Sequence, residues 1–200
     1  MKNIGLTTFA LLALLATDSA AQQVGVRINE IQLHAASTSS VAQQIELKNH
    51  TNSAVDLTGY QLVTGGGQTA LPGLLLSGGH TVVLHLGVSG TDTATDLFLP
   101  TAATLVPPDA ISLFRSPAVT QPGELMDFVS FGGGHQGIAM AVTAGQWPSS
   151  QATVPLPPSG ASLAHFDEVV YGSPDRPEAW FVDGTPTLGA SNDGGGVFLA

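Results

Sequence analysis

Apolar residues recur at every second position in several short runs of the chain, and this period predicts strands. The first run has its apolar residues at Val26, Ile28, Ile31 and Leu33. Their spacing of two, three and two requires a phase shift, so the sequence predicts a β-bulge at Asn29 and Glu30. In the second run, Ile45 and Leu47 alternate with polar residues, which places one face of that strand against a core.

Further strands or short apolar segments are predicted at residues 55–63, 71–76, 81–86, 97–99, 110–114, 125–131, 161–166 and 179–182. Turn chemistry separates them: Asn49 opens a polar turn, and the corner after Asp56 contains Gly59, which can take the positive φ of a tight turn. Short strands with such punctuation predict an all-β sandwich in one domain. A longer, Pro-rich connection at residues 135–158 precedes the last strands, because Pro disfavours a central strand.

Composition supports a folded β protein. The 24 Gly and 13 Pro interrupt apolar runs before they reach helix length, while 43% hydrophobic and only 10% charged residues are atypical of a disordered chain. The absence of Cys excludes disulfides, thiolate metal sites and a lipidated cysteine. A net charge of -10 makes nucleic acid an unlikely partner, because a phosphate backbone would be repelled.

The first 21 residues have the features of a signal peptide. Lys2 precedes a nearly continuous apolar stretch at residues 4–16, which is too short to serve as a stable membrane anchor. Ser19 and Ala21 are small residues at the positions that a signal peptidase reads, so cleavage is expected after Ala21. We therefore predict a signal peptide at 1–21, a β-sandwich domain at 22–192, a flexible tail at 193–200, and release to the periplasm or the outside.

The order of these segments resembles the lamin tail domain family in its bacterial, secreted form. The resemblance rests on residues 27–31 (RINEI), 45–49 (IELKN), 55–62 (VDLTGYQL), 110–114 (AISLF), 126–132 (MDFVSFG), 161–163 (ASL), 179–180 (AW) and 185–192 (TPTLGASN). It implies an immunoglobulin-like β-sandwich without enzymatic activity, in which residues 135–158 form a Pro-rich insertion before the last strands. We expect no cofactor. The sequence departs from the family at Ala164 and His165, where an acidic or polar residue and an Arg are expected.

The resemblance also implies a set of structural motif residues: Asn29, Glu30, Glu46, Asn49, Asp56, Gly59, Asp127, Trp180 and Asn192. Glu30 is expected to accept backbone hydrogen bonds at the bulge, and Glu46 to make an exposed pair with Lys48. Asp127 lies on an apolar stripe, so its carboxylate must find donors, and we expect it to brace a loop. A cation-binding or catalytic role for these carboxylates is the alternative.

Other candidate chemistry is scattered. The six His form no zinc-like pair, and no nucleophile elbow or phosphate loop occurs. Oxygen-rich loops contain Asp92 and Asp96 near one end and Asp183, Asn192 and Asp193 near the other, which leaves calcium as an alternative. Trp180 is predicted to be a core residue. Trp147, which precedes a Pro, is predicted to be exposed and to be a possible ligand-binding aromatic residue.

These observations favour a non-catalytic extracytoplasmic binding or structural module that contacts a protein or a cell-surface polymer. A carbohydrate- or calcium-binding β-sandwich is the first alternative, and the carbohydrate version requires an exposed Trp147. A secreted hydrolase with an unrecognised Asp or His site is the second, and it requires several such residues to converge in one cleft.

Overall fold

The alternating segments form two main β-sheets around one apolar core in a computed structural model that describes residues 25–33, 43–102, 105–133, 136–166 and 176–192. The strands are β1 Val26–Gln32, β2 Gln44–Asn49, β3 Val55–Asp56, β4 Gln61–Thr64, β5 Gly67–Ala70, β6 Leu75–Leu76, β7 Thr81–Leu86, β8 Asp96–Leu99, β9 Asp109–Phe114, β10 Leu125–Phe131, β11 Ser162–His165 and β12 Trp180–Asp183. One helix, α1 Ile138–Thr143, follows β10, and short 3-10 turns precede β10 and β12.

The first sheet has six strands in the order β12-β11-β1-β2-β7-β8, and the second has four in the order β10-β9-β4-β5. Neighbouring strands are antiparallel except for β7 and β8, which run parallel. Strands β3 and β6 form a separate two-stranded ribbon. This arrangement is an all-β, immunoglobulin-like sandwich, as the sequence predicted.

The core lies between the two sheets, and the apolar residues at alternate positions of the strands point into it. Ile45 and Leu47 of β2 and Leu84 of β7 are fully buried, as are Ile111 of β9 and Val129 of β10. Side chains at every second strand position share a face, so these residues form a continuous apolar layer. The predicted bulge is confirmed, because the register of β1 against β2 shifts between Ile28 and Glu30.

Two segments from the C-terminal third of the chain cover the outer faces of the sheets. Residues 136–156 follow β10 and place α1 and Trp147 against it, with the rings of Trp147 and Phe128 in a T-shaped contact whose centroids are 5.4 Å apart. Residues 185–192, here called the strap, lie on the first sheet. Every residue of β10 is consequently buried, and so are six of the seven residues of β1.

Three sequence predictions need correction. Residues 55–63 do not form one strand, because the turn after Asp56 separates β3 from β4. The described part of the connection at 135–158 contains α1 and a parallel bridge between Phe131 and Val154, neither of which was predicted. Strand β5 was missed, because its four residues include no large apolar side chain. The predicted signal peptide, the tail, His34, His135 and Asp193 lie outside the described residues.

Candidate functional site

The largest group of buried polar side chains lies on the outer face of the first sheet. Glu30 of β1 and Glu46 of β2 are directly opposite each other in the strand register, so both side chains project from the same face. Both are fully buried. Two facing carboxylates with no solvent exposure require hydrogen-bond donors or protons, because an unpaired buried charge is costly.

The strap supplies most of the donors to Glu30. The backbone amide of Thr187 donates to Glu30 Oε1 at 3.1 Å, and the Thr187 hydroxyl donates to Oε2 at 3.2 Å. The hydroxyl of Ser162 on β11 donates to Oε1 at 2.5 Å. Glu30 therefore accepts one backbone bond, as expected, but that bond comes from a segment 157 residues away in the sequence.

Glu46 has two donors, and its predicted environment was wrong. The Asn29 amide nitrogen donates to Oε1 at 2.5 Å, and the backbone amide of Gly189 donates to Oε2 at 2.6 Å. Glu46 does not form an exposed pair with Lys48, because the strap covers this part of the strand and leaves the carboxyl without solvent exposure. Asn192 anchors the end of the strap by donating to the backbone carbonyls of Asn29 and His165.

Burial changes the acid–base behaviour of both carboxyl groups. Removal from water raises the pKa of Glu46 to about 7, with a smaller contribution from the charge of Glu30, while its two donors and Lys48 oppose the rise. Removal from water also raises the pKa of Glu30, against the opposing effect of its three hydrogen bonds. Because Glu30 has more donors, we assign the negative charge to Glu30 and the readily protonated carboxyl to Glu46.

Asp127 forms a second buried site, inside the sandwich. Its Oδ2 accepts a hydrogen bond from the backbone amide of Ile28 at 2.7 Å, and its Oδ1 accepts one from the amide of Phe128 at 2.9 Å. Arg27 lies 3.5 Å away and also donates to the side chain of Gln146 at 3.2 Å. The expectation that Asp127 finds donors is confirmed, but it joins two sheets instead of bracing a loop.

The other motif residues shape turns. Asn49 donates to the carbonyls of Ser53 and Leu76, and its Oδ1 accepts the amide of Thr51. Asp56 Oδ1 accepts the amide of Thr58. Hydrogen bonding by the Thr58 side chain, and then by this amide, lowers the pKa of the exposed carboxyl. Gly59 has φ of +88°, so its predicted left-handed conformation is confirmed.

Both tryptophans are buried, although only Trp180 was predicted to be. Trp180 is 6% exposed in β12 and contacts His165 edge to face, in agreement with its predicted core position. Trp147 is only 2% exposed, so the prediction of a surface aromatic residue was wrong. Its indole nitrogen donates to the carbonyl of Ala152 at 2.8 Å, and its ring packs on Phe128.

The acidic loop residues make internal hydrogen bonds. Asp92 Oδ1 accepts the amide of Phe98, and Asp96 accepts from the hydroxyl of Thr95 and lies 2.8 Å from His85 Nε2. Asp183 Oδ1 accepts from the amide and hydroxyl of Thr185. In the part of the chain that the structure describes, no group of three or more His, Asp or Glu residues is placed to hold a metal ion.

Several participants were not predicted from the sequence: Arg27, Gln146, Ser162, Thr187 and Gly189. Gly189 acts through its backbone amide, which leaves no signal in the sequence, and Thr187 acts through both its amide and its hydroxyl. Asp109 was also missed. It begins β9 and accepts the amide of Gly65. An Asp at the start of a strand could have suggested such an acceptor role. The sequence pattern indicated the acceptors better than the donors.

The fold and its buried polar residues define a β-sandwich module of the immunoglobulin-like class. A family model described as Lamin Tail Domain matches residues 19–133. The chain belongs to the lamin tail domain family, a family of non-catalytic immunoglobulin-like domains. The match ends after β10, so the motifs at residues 161–192 stay a sequence-based prediction. A search of curated proteins found no match.

None of the helices among the described residues has the length and apolar character needed to span a membrane.

Proposed function

We propose that this protein is a non-catalytic extracytoplasmic module that binds another polypeptide by adding a strand to the free edge of β5. Family membership supports the absence of catalysis. The uses of the buried acids support it too, because Glu30, Glu46 and Asp127 are bound to backbone amides that hold the sheets and the strap. The signal-peptide features of residues 1–21 support the proposal that the protein is exported.

The observation that carries the binding proposal is the difference between β5 and two other sheet edges. On β8, the Thr93 hydroxyl oxygen accepts the amide of Asp96, and the Asp92 carboxylate accepts the amide of Phe98. On β10, Val154 donates to Ser130 and accepts from Gly132. Both edges are therefore closed to additional strands by the protein itself.

Strand β5 has no such cover among the described residues. Tyr60 accepts the amide of Leu71, and the β4–β5 register pairs Leu62 with Thr69. Hydrogen-bonded and non-bonded pairs alternate in antiparallel strands, so the backbone groups of Gln68 and Ala70 point away from β4. Both residues are exposed. Outward amides and carbonyls at this spacing fit the main chain of an extended partner segment.

A crosslinking experiment with a proline variant tests this proposal. A photo-crosslinking residue replaces Gln68 in the full chain, which is expressed in its producing cells. Three versions are compared: one with Ala70 unchanged, one with Ala70→Pro and one with Ala70→Ser. Proline removes the outward N–H and leaves the bonds to β4 intact, whereas Ser retains that N–H. We expect a discrete adduct with Ala70 and with Ser, and none with Pro. An adduct that persists in Ala70→Pro, or no adduct from position 68, would overturn strand addition.

The carbohydrate alternative has lost its main support, because it required an exposed Trp147. The hydrolase alternative required several Asp or His residues to converge in a cleft. Asp92, Asp127 and Asp183 instead make separate structural contacts, and Asp96 pairs with His85. We expect no cofactor. Protein contact therefore stands ahead of these alternatives as the proposed role.

A further inference from the structure

The strap contacts the sheet mainly through polar groups. Its backbone amides at Thr187 and Gly189 donate to Glu30 and Glu46, and Asn192 reaches the carbonyls of Asn29 and His165. The strap residues themselves are half-buried or exposed. Attachment that depends on a few hydrogen bonds and on little apolar burial is typical of segments that open locally while the rest of a protein stays folded.

We propose that the strap, residues 185–192, is a detachable cover over the first sheet, and that it closes when Glu46 is protonated and loosens when Glu46 becomes a carboxylate. The geometry places two facing carboxyl groups in one buried site, and the strap contacts both of them. When the strap opens, Glu46 is hydrated and regains its ordinary acidity. The proposal is independent of the partner that β5 binds.

Burial determines the direction of this effect, and the charged groups around Glu46 modify its size. Glu30 faces it from β1 and disfavours its charge, whereas Lys48 on its own strand favours that charge. Its neighbour on β7 is Val83, and no residue of the strap is titratable. Asp183 on β12 acts on Glu30, and its charge also opposes ionisation there. Burial, reinforced by the charge of Glu30 and opposed by the two donors of Glu46 and by Lys48, makes ionisation of Glu46 unfavourable in the closed form.

A protonated Glu46 can be accommodated without moving the strap. One carboxyl oxygen still accepts the amide of Gly189. The other becomes an O–H donor, and Asn29 can present its oxygen in place of its nitrogen when its amide is rotated by half a turn. A cavity of about 210 Å³ lies beside the strap and is bounded in part by Lys48, His80 and Gly189.

The direction of the pH dependence follows from the raised pKa of Glu46. The pKa of Glu46 rises from 4.5 to about 7 in the closed form, so closure is strongest below pH 4.5 and is progressively lost as the pH rises through 7. One proton is released on opening across this window. The opening equilibrium should therefore rise by up to about tenfold per pH unit between pH 5 and 7 and level off above about pH 8.

Hydrogen exchange followed by NMR tests this prediction. The protection factors of the Thr187 and Gly189 amides are measured on the mature protein at pH 5, 6, 7 and 8, after correction for the intrinsic exchange rate. We expect them to fall across this range while those of Ile111 and Leu113 in β9 change little. The Glu46→Gln variant should retain strong protection at every pH, and the exposed control Glu178→Gln should behave like the unmodified protein.

Two outcomes would overturn the proposal. One is a Gly189 protection factor that is the same at pH 5 and pH 8. The other is a Glu46→Gln variant that retains the pH dependence of the unmodified protein. A carbon-13 titration of the Glu46 carboxyl keeps the test decisive if that variant does not fold, because a midpoint near 4.5 in the unmodified protein would also contradict the proposal.

Discussion

Asp127 of β10 accepts a hydrogen bond from the backbone amide of Ile28 at 2.7 Å, at the bulge where β1 shifts its register against β2. The bulge frees this amide from the ladder, and a carboxylate of the opposite sheet satisfies it. The same carboxylate accepts the amide of Phe128 and lies beside Arg27. One acidic side chain thus connects the two layers at the position where β1 is irregular.

We predict that Asp127→Ala destabilises the fold by about 3 kcal/mol, because it leaves the buried Arg27 guanidinium and the Ile28 amide without this acceptor. Asp127→Asn should cost less, since its amide oxygen retains one acceptor. Urea denaturation followed by circular dichroism measures both, with the exposed Glu178→Ala as the control. A midpoint for Asp127→Ala equal to that of the control would contradict the bridging role.

The sequence predicts the strands better than it predicts which of their residues are covered by segments distant in the chain. Strands β7 and β10 occupy the predicted residues 81–86 and 125–131, because their apolar residues are dense and bounded by turns. Glu46 alternates with Ile45 and Leu47 in the manner of a solvent-facing residue. The strap covers it from 143 positions further along the chain, and no local pattern records that contact.

The same reasoning applies to Trp147. Its neighbours Pro148, Ser149 and Ser150 indicate a surface loop, and most of the segment is indeed exposed. The indole nevertheless fills the space above Phe128, a contact between residues that belong to different predicted segments. Local patterns predicted the strands and the need for donors at Asp127, whereas the covering segments arise from long-range packing.

Gly59 adopts a left-handed backbone conformation that residues with a Cβ rarely take. Its φ of +88° disfavours any residue with a Cβ, although no heavy atom lies within 4 Å of where that Cβ would be. Gly59→Ala should therefore destabilise the protein by about 1 kcal/mol through strain and not through a clash. Gly123→Ala is the matched control, since it has equal space and no positive φ. Equal melting temperatures for the two variants would argue against strain at Gly59.

Fluorescence tests the position of the two tryptophans, which are the only ones in the chain. Because both are buried, emission should be blue-shifted and iodide should quench it weakly until the protein is unfolded in guanidinium chloride. Addition of soluble polysaccharides should leave the spectrum unchanged. Strong quenching of the folded protein that disappears in Trp147→Phe would restore Trp147 as a surface residue and the carbohydrate hypothesis with it.

Calcium is expected to have no effect on stability. The Asp92 carboxylate accepts the amide of Phe98 at the edge of β8, and the Asp96 carboxylate accepts the hydroxyl of Thr95, so binding a cation in this loop would have to break these bonds. Melting temperatures with millimolar calcium and with a chelator should agree. A stabilisation by calcium that is lost in Asp92→Asn would show that this loop binds the ion and would assign it a second role.

Residues 1–21 are predicted to be a signal peptide that is removed on export. Ser19 and Ala21 present small side chains at the two positions that the peptidase reads, so the mature chain should begin at Gln22. Mass spectrometry of the secreted or periplasmic protein checks this, and Ala21→Arg should leave a longer, membrane-associated precursor because the large side chain cannot enter the peptidase pocket. Thr8→Ser, within the apolar stretch, is the control and should be processed normally. Recovery of the full chain from the cytoplasm, starting at Met1 or Lys2, would remove the basis for an extracytoplasmic role.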